Sequence, residues 1–324
     1  MVEKIFIFGK ILEDNIISTN LELGDHDFCL PLREKTIAKN CLSEPGGGAI
    51  NGAFAFKKLG FEPEICGLIG KDLAGQNIRA KLQQAHIKTN SIGASNLATG
   101  RSIVILAKNK THSALIYPGA NSRIKISDID LKKAKQSRWW FLFSWGNNDV
   151  KISRYLARTK QKFGIHLAFN PGRIQLENSK NISSLISATD ILFLNEKELE
   201  MLLNKKLTPA DYKEALIQAV GLGPKIVVLT LGKDGSMAYN GAHFYEAQVY
   251  PIRVADGLGA GDAYSSAFLA WFIRTGRIEE AIIAGTLNSA HVVSESGSTN
   301  GQLDIKDLAK LMRKEKVKVQ VSQL

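Results

Sequence analysis

Residues 255–276 read ADGLGAGDAYSSAFLAWFIRTG, in which three glycines and two aspartates precede a long apolar run. Ala263, Ala267 and Trp271, with Phe268 and Phe272 nearby, recur at helical spacing and predict a core-facing helix. Glycine just ahead of a helix costs backbone entropy, so something at this point requires bare backbone. Two readings compete. In one, the glycines make a tight turn and Asp262 is only an N-cap, worth about 1 kcal/mol. In the other, a ligand approaches the free amides of Ala260 and Gly261, where the helix dipole favours an anion. An N-cap does not need glycine on both sides of Ala260. The stretch therefore points to a phosphoryl group resting on the amides while Asp262 takes a proton from an attacking hydroxyl.

Outward from this helix, short apolar strands alternate with amphipathic helices, the pattern of a parallel sheet covered on both faces. KIFIFG (4–9), EICGLIG (64–70), WWFLFSWG (139–146) and HLAFNPG (166–172) read as strands, and AINGAFAFKKLG (49–60) and AGQNIRAKLQQAHI (74–87) as helices. DILFLNEKELEML (190–202) runs from strand into helix, and KIVVLTLGKDGSMAY (225–239) holds two strands about a glycine turn. The tail KDLAKLMRKEKVKV reads as a solvated helix followed by a strand or frayed end. Two segments break the rhythm: 15–44, with short strand-like pieces, and 98–117, a hairpin with Asn109-Lys110 at its turn. No repeat or linker divides the chain. The expectation is one α/β domain over residues 1–324, with the two segments forming a small β-sheet lid over the active face; ordinary surface decoration is the alternative.

Composition narrows the function. At 324 residues, with 44% hydrophobic and 23% charged, the chain is globular rather than disordered. The opening MVEKIFIFGKIL has too short an apolar run for a secretory leader, and no stretch reaches the ~20 apolar residues of a membrane span. Cys29, Cys41 and Cys66 form no CxxC pair, which predicts a reduced, cytoplasmic protein. A net charge of +11 favours anionic partners such as nucleotides or phosphosugars. The basic residues are spread out, with mild clusters at Lys132–Arg138 and Lys310–Lys318. No aromatic–basic interleaving accompanies them, so nucleic-acid binding is a minor reading.

A second glycine cluster, EPGGGAINGA (44–53), leads from a loop into a helix at Ala49, with Asn51 one turn in. Free amides and an amide side chain that both donates and accepts suit a polyhydroxylated ligand; a tight turn with a capping asparagine is the plainer alternative. Neither cluster is a GxxxxGK[ST] loop or a dinucleotide GxGxxG, and the kinase HRD and DFG motifs and zinc-ligand spacings are missing.

Taken in order, these residues resemble the ribokinase-like (PfkB) family of carbohydrate and nucleoside kinases. The match runs through Gly9 to Asp14, GGGAIN (46–51) with LG (59–60), GLIGKDLAG (67–75), YPGAN (117–121), NEKE (195–198), TLGKDG (230–235) and GLGAGD (257–262). The resemblance implies a three-layer α/β/α core with a mainly parallel central sheet, and ATP-dependent phosphorylation of a sugar-like hydroxyl. It gives Asp262 the role of general base and Gly259, Ala260 and Gly261 that of the anion hole. Asp14, Gly46, Gly47 and Asn51 match substrate-binding positions. Asn195 and Glu198 would organise Mg2+, through water. Thr230, Gly232 and Gly235 match the nucleotide loop, and Asn288 the adenine-side helix. The family usually writes DTxGAGD; here Asp256 is followed by Gly257 and Leu258. The missing threonine puts in doubt a monovalent-cation (K+) site beside the cradle, although Asp256 is present. FNPGR (169–173) receives no role beyond proximity.

A sugar kinase is thus expected, with a nucleoside kinase as the alternative within the same chemistry and a non-catalytic binding scaffold as a third reading. Exposed lid strands also predict a homodimer formed through the lid.

Overall fold

The computed structural model describes residues 2–22, 29–30, 33–109, 111–315 and 317–323. In chain order the strands are β1 (Lys4–Phe8), β2 (Leu12–Ser18), β3 (Asn40–Gly46), β4 (Glu62–Gly70), β5 (Ile92–Ser95), β6 (Gly100–Leu106) and β7 (His112–Tyr117). There follow β8 (Trp139–Phe143), β9 (His166–Asn170), β10 (Ile191–Asn195), β11 (Ile226–Thr230), β12 (Ser236–Tyr239), β13 (His243–Ala247) and β14 (Val319–Gln323).

Ile5 to Phe8 are all fully buried. Such a strand has no wet face, so helices must cover it on both sides. Ile5, Ile7, Phe141, Phe143 and Phe193 pack in one core layer, with Ala49, Ala53 and Phe56 of the helix Gly48–Lys58 and Ala267 and Phe268 of the helix Ala260–Thr275. Phe6, Phe8, Trp140, Leu142 and Leu192 alternate with them and pack in the opposite layer, beneath Ile152 and Leu156 of the helix Val150–Phe163. The result is a ten-stranded sheet in the order β14-β13-β12-β11-β10-β9-β8-β1-β4-β5. The seven strands from β11 to β5 pair in parallel, and β12, β13 and β14 are antiparallel. The basic tail accordingly ends as an edge strand, β14, after the helix Ile305–Lys314.

From β1 the chain steps outward to β4 and β5, then crosses back to β8 and proceeds through β9, β10 and β11. The order reverses between β1 and β8, which opens a crevice at the carboxyl ends of the strands, the place where ligands bind in such sheets. Phe143 ends β8 at that crevice and supports the helix above it: a Cβ on Gly48 or Gly52 would lie 2.7 Å from its ring. Phe143→Ala should therefore destabilise the protein by about 3–5 kcal/mol. Thermal unfolding should show a clear drop in Tm.

The two segments that interrupt the α/β alternation supply a second, four-stranded sheet in the order β3-β2-β6-β7. β2 runs antiparallel to β3 and parallel to β6, and β7 is antiparallel to β6. EPG (44–46), read from sequence as loop, is the end of β3. Residues 23–28 and 31–32 of the first segment, and Lys110 of the expected hairpin turn, lie outside the described residues. Asn121 of YPGAN fixes the exit from β1 into this sheet. Its amide donates to the carbonyls of Ile11 and Pro118, and its own carbonyl accepts from the Ile11 N–H, all at 2.9 Å. Among the described residues no helix is long and apolar enough to cross a membrane.

Candidate active site

The helix Ala260–Thr275 starts three residues earlier than the apolar periodicity suggests, and its N-cap is Gly259, not Asp262. Gly259 has φ +73°, and a Cβ there would lie 2.6 Å from the Ser298 carbonyl, so this glycine makes the turn. No side chain caps the helix, so its first amides remain free for a ligand. Gly261 is different: its φ is unremarkable and an added Cβ would meet nothing within 4 Å. Protein packing does not explain a glycine at that position. The turn of the first reading is thus observed at Gly259, without Asp262 as the cap, and packing leaves Gly261 unexplained.

Asp262, in the first turn, points its carboxylate toward the crevice. Asn51 donates to one oxygen at 2.8 Å, and Asn170, at the end of β9, donates to the other at 3.4 Å. Burial raises the Asp262 pKa above the ordinary carboxylate range; the Asn51 bond and the charge of Lys10 act against that rise, and Asp14 adds to it. The side-chain oxygen of Asn51 is buried with no partner among the described residues, an acceptor left over.

Asp14 lies on β2 of the second sheet, directly opposite Glu44 on β3. Its carboxylate accepts from the Ser102 hydroxyl of β6 and covers Gly46: a Cβ there would sit 1.7 Å from Asp14 Oδ2. Gly47, at φ +87°, then starts the helix that carries Asn51. Burial raises the Asp14 pKa, opposed by Ser102 and Lys10.

On the other side of the cradle lies a cavity of about 480 Å³. Val249, Ile252, Val254, Tyr264 and Val293 give it an apolar lining, and Thr230, Gly232 and Gly235 form one wall. It meets a smaller polar cleft of about 210 Å³ that contains Asn170, Asn195, Glu198 and Asp262; Thr230, Gly257, Ala260 and Gly261 border both. Asn288 is not in either wall. It is fully buried, donating to the Ala263 carbonyl at 3.1 Å and to Gln302 at 2.8 Å, while its carbonyl accepts from the Leu303 N–H at 3.0 Å. Its hydrogen bonds tie two helices and the following loop together, and its neighbours Ser289 and Ala290 face the cavity instead.

Asn195 and Glu198 form a reciprocal cap on the helix Glu196–Leu203: the Glu198 N–H donates to Asn195 Oδ1 at 3.0 Å, and the Asn195 N–H to Glu198 Oε2 at 2.9 Å. This leaves Glu198 Oε1 uncommitted. Desolvation, reinforced by the charge of Asp262, pushes the Glu198 pKa up to about 7. A carboxylate so disfavoured when ionised would gain from a hard cation. Among the described residues no three His, Cys, Asp or Glu gather as a cage for one, so such an ion would depend on water and ligand oxygens. Asp256 is fully buried and braces the cradle loop, its oxygens accepting from the N–H groups of Leu258 and Gly297 at 3.0 Å each.

Three residues escape sequence reading. Asn170 sits in a stretch given no role, although its place at the end of a strand was a signal. Lys10 follows Gly9 at the switch point, and its charge lowers the pKa of Asp14, Asp262 and Glu198 together. Ser102 lies mid-strand in β6 and carries no motif.

Comparison with known proteins identifies the family and the fold. The family model described as pfkB family carbohydrate kinase matches residues 25–305. The chain is similar to a ribokinase of Haemophilus influenzae, 24% identical over 302 residues that cover 92% of this chain and 94% of that one. It is also similar to a nucleoside kinase of Methanothermobacter thermautotrophicus, 22% identical over 86% of this chain and 87% of the other. Among solved structures, the ribokinase of Arabidopsis thaliana complexed with ribose and ATP superimposes with a TM-score of 0.80, at 22% identity, covering 97% of this chain and 99% of that chain. With its ribokinase fold, its paired clefts and its two glycine clusters, the chain belongs to the pfkB family of carbohydrate kinases, a family of phosphotransferases.

Proposed function

We propose that the protein transfers the γ-phosphoryl group of ATP to a hydroxyl of a sugar or sugar-like small molecule. One observation carries this reading. A carboxylate oriented by two amides, Asp262, stands beside free helix amides where an apolar cavity meets a polar cleft. The apolar cavity accommodates a nucleobase, with Thr230, Gly232 and Gly235 along the phosphates. The amides of Ala260 and Gly261 receive developing negative charge on the transferred group. Asp262 accepts the proton of the attacking hydroxyl. Asp14 and Asn51, with Gly46 and Gly47 leaving room, hold the remaining hydroxyls, and the second sheet acts as the lid. Asn195 and Glu198 would hold Mg2+ through water, supplying charge neutralisation at the phosphates. Asp256 is assigned as a brace for the cradle; a K+ dependence of turnover would give it a cation as well.

Acceptor-dependent ADP release, measured against sugars, sugar phosphates and nucleosides, tests the substrate class. The carboxylates of Asp14 and Asp262 favour neutral polyols, so turnover is expected with sugars; turnover confined to nucleosides would assign the nucleoside-kinase alternative instead.

Glu198 supplies a further prediction. Its folded-state pKa lies above the ordinary 4.5, so its ionised form costs stability, fully above pH 7 and not at all below about 4.5. Glu198→Gln should therefore raise Tm by a few degrees at pH 8, leave it unchanged at pH 4, and still lower Mg2+-dependent turnover. Differential scanning calorimetry at the two pH values checks the first two outcomes.

The homodimer reading rests on β7, an edge strand exposed along its length with Leu115, Ile116 and Tyr117 outermost. Sedimentation at micromolar concentration should give twice the chain mass; a monomer would remove it.

A further inference from the structure

The cradle loop is fastened to the second sheet directly at one point and through the adjoining 297–298 loop at another, although more than 150 residues of chain separate the partners. The second sheet has its own apolar cluster of Ile16, Val104 and Leu106, and Leu258 of the cradle loop packs against it beside Leu42. Leu258 follows Gly257, which stands where the family pattern has its threonine. The other attachment is polar. Glu44 of β3 is buried, and its Oε1 accepts from the Ser298 N–H at 2.7 Å. A Cβ on the adjacent Gly297, itself at φ +99°, would lie 2.6 Å from that same oxygen, so the loop is drawn tightly over the carboxylate. The Gly297 N–H then donates to Asp256, whose other oxygen accepts from Leu258, and the Ser298 carbonyl packs on Gly259. Glu44 is also the cross-strand partner of Asp14.

We propose that Leu258 and Glu44 are positioning residues that fasten the amide cradle to the sheet carrying Asp14, so that the cradle takes its working geometry only with that sheet seated. This inference rests on the kinase reading for its effect on rate, but the fastening itself is open to an independent measurement.

The experiment uses Leu258→Ala, Val104→Ala on β6, and Glu44→Ala with Glu44→Gln as its conservative counterpart, whose side-chain carbonyl can still accept from Ser298. Amide hydrogen exchange should speed up several-fold in the peptide spanning residues 257–262 in each alanine variant, and return toward wild type in Glu44→Gln. Val104→Ala is decisive because Val104 belongs to the other sheet. In steady state, the alanine variants should lose roughly 10- to 50-fold in kcat with KM for ATP within about twofold, as expected for misplaced catalytic amides. Leu258→Met should recover most of that loss. Unchanged exchange at 257–262 in both Val104→Ala and Glu44→Ala would overturn the proposal, as would kcat losses that merely follow losses of Tm. A wild-type protein without phosphotransfer would instead contradict the kinase reading and leave the exchange result to decide the fastening.

Discussion

Asp262→Asn is expected to lower kcat by about 10³-fold, within the range that positioned general bases contribute, and to leave KM for ATP nearly unchanged. The amide has the carboxylate's shape but cannot take a proton. Asn51 and Asn170 both donate to the carboxylate, so the variant's new N–H must face one of them; Asn51, whose own oxygen has no partner among the described residues, can turn its amide to accept it, which limits the change in placement. A second outcome follows from the same surroundings. Burial raises the pKa of Asp262, so the folded protein tolerates the ionised form at a cost present at neutral pH and relieved as pH falls through the raised value. The Asn variant should therefore be at least as heat-stable as wild type at pH 8 while nearly inactive, the trade seen where a site is built for function rather than stability. Wild-type kcat/KM should also fall on the acid side as Asp262 takes up its proton. A variant retaining near wild-type kcat would remove Asp262 from the role of base.

Gly261→Ala separates ligand from packing more sharply than any other substitution. Its φ suits any residue, and an added methyl meets no protein atom within 4 Å. Alanine within the first turn should be neutral or slightly stabilising, by up to about 1 kcal/mol. Under the proposed function, the methyl would nevertheless stand where the phosphoryl group is to rest. Turnover is expected to fall by about 10²-fold, the scale of a damaged oxyanion contact, with Tm unchanged or higher. Gly259→Ala should do the reverse in part, lowering Tm because its φ is left-handed and the Ser298 carbonyl blocks a Cβ. Equal effects of the two substitutions on Tm would contradict the division of labour between these glycines.

The layered core was legible because its signal is local. Unbroken apolar strands such as Ile5–Phe8 demand cover on both faces, and helical periodicity marks what covers them. The cradle was legible for a related reason, since bare backbone before a helix is conspicuous. The limits of the helix were not. The apolar face begins at Ala263, but helical geometry begins at Ala260, where the glycines hide any periodicity. Asn288 misled because a polar residue on a helix beside a site can serve either the site or the packing, and only the partners Ala263, Gln302 and Leu303 decide which. Asn170 and Ser102 from two strands, and Lys10 from the link between β1 and β2, converge on the carboxylates, and spacing along the chain carries no record of that convergence. Glu44 and Ser298 are 254 residues apart. The meaning of Leu258 likewise depended on a sheet formed by residues far upstream.

Transfer of label from radiolabelled ATP to a neutral sugar, followed in wild type and in Asp262→Asn side by side, tests the central claim most directly. The expected result is a labelled sugar monophosphate from wild type and almost none from the variant. Label that reaches only water or the protein itself, or that reaches sugar equally with both proteins, would contradict it.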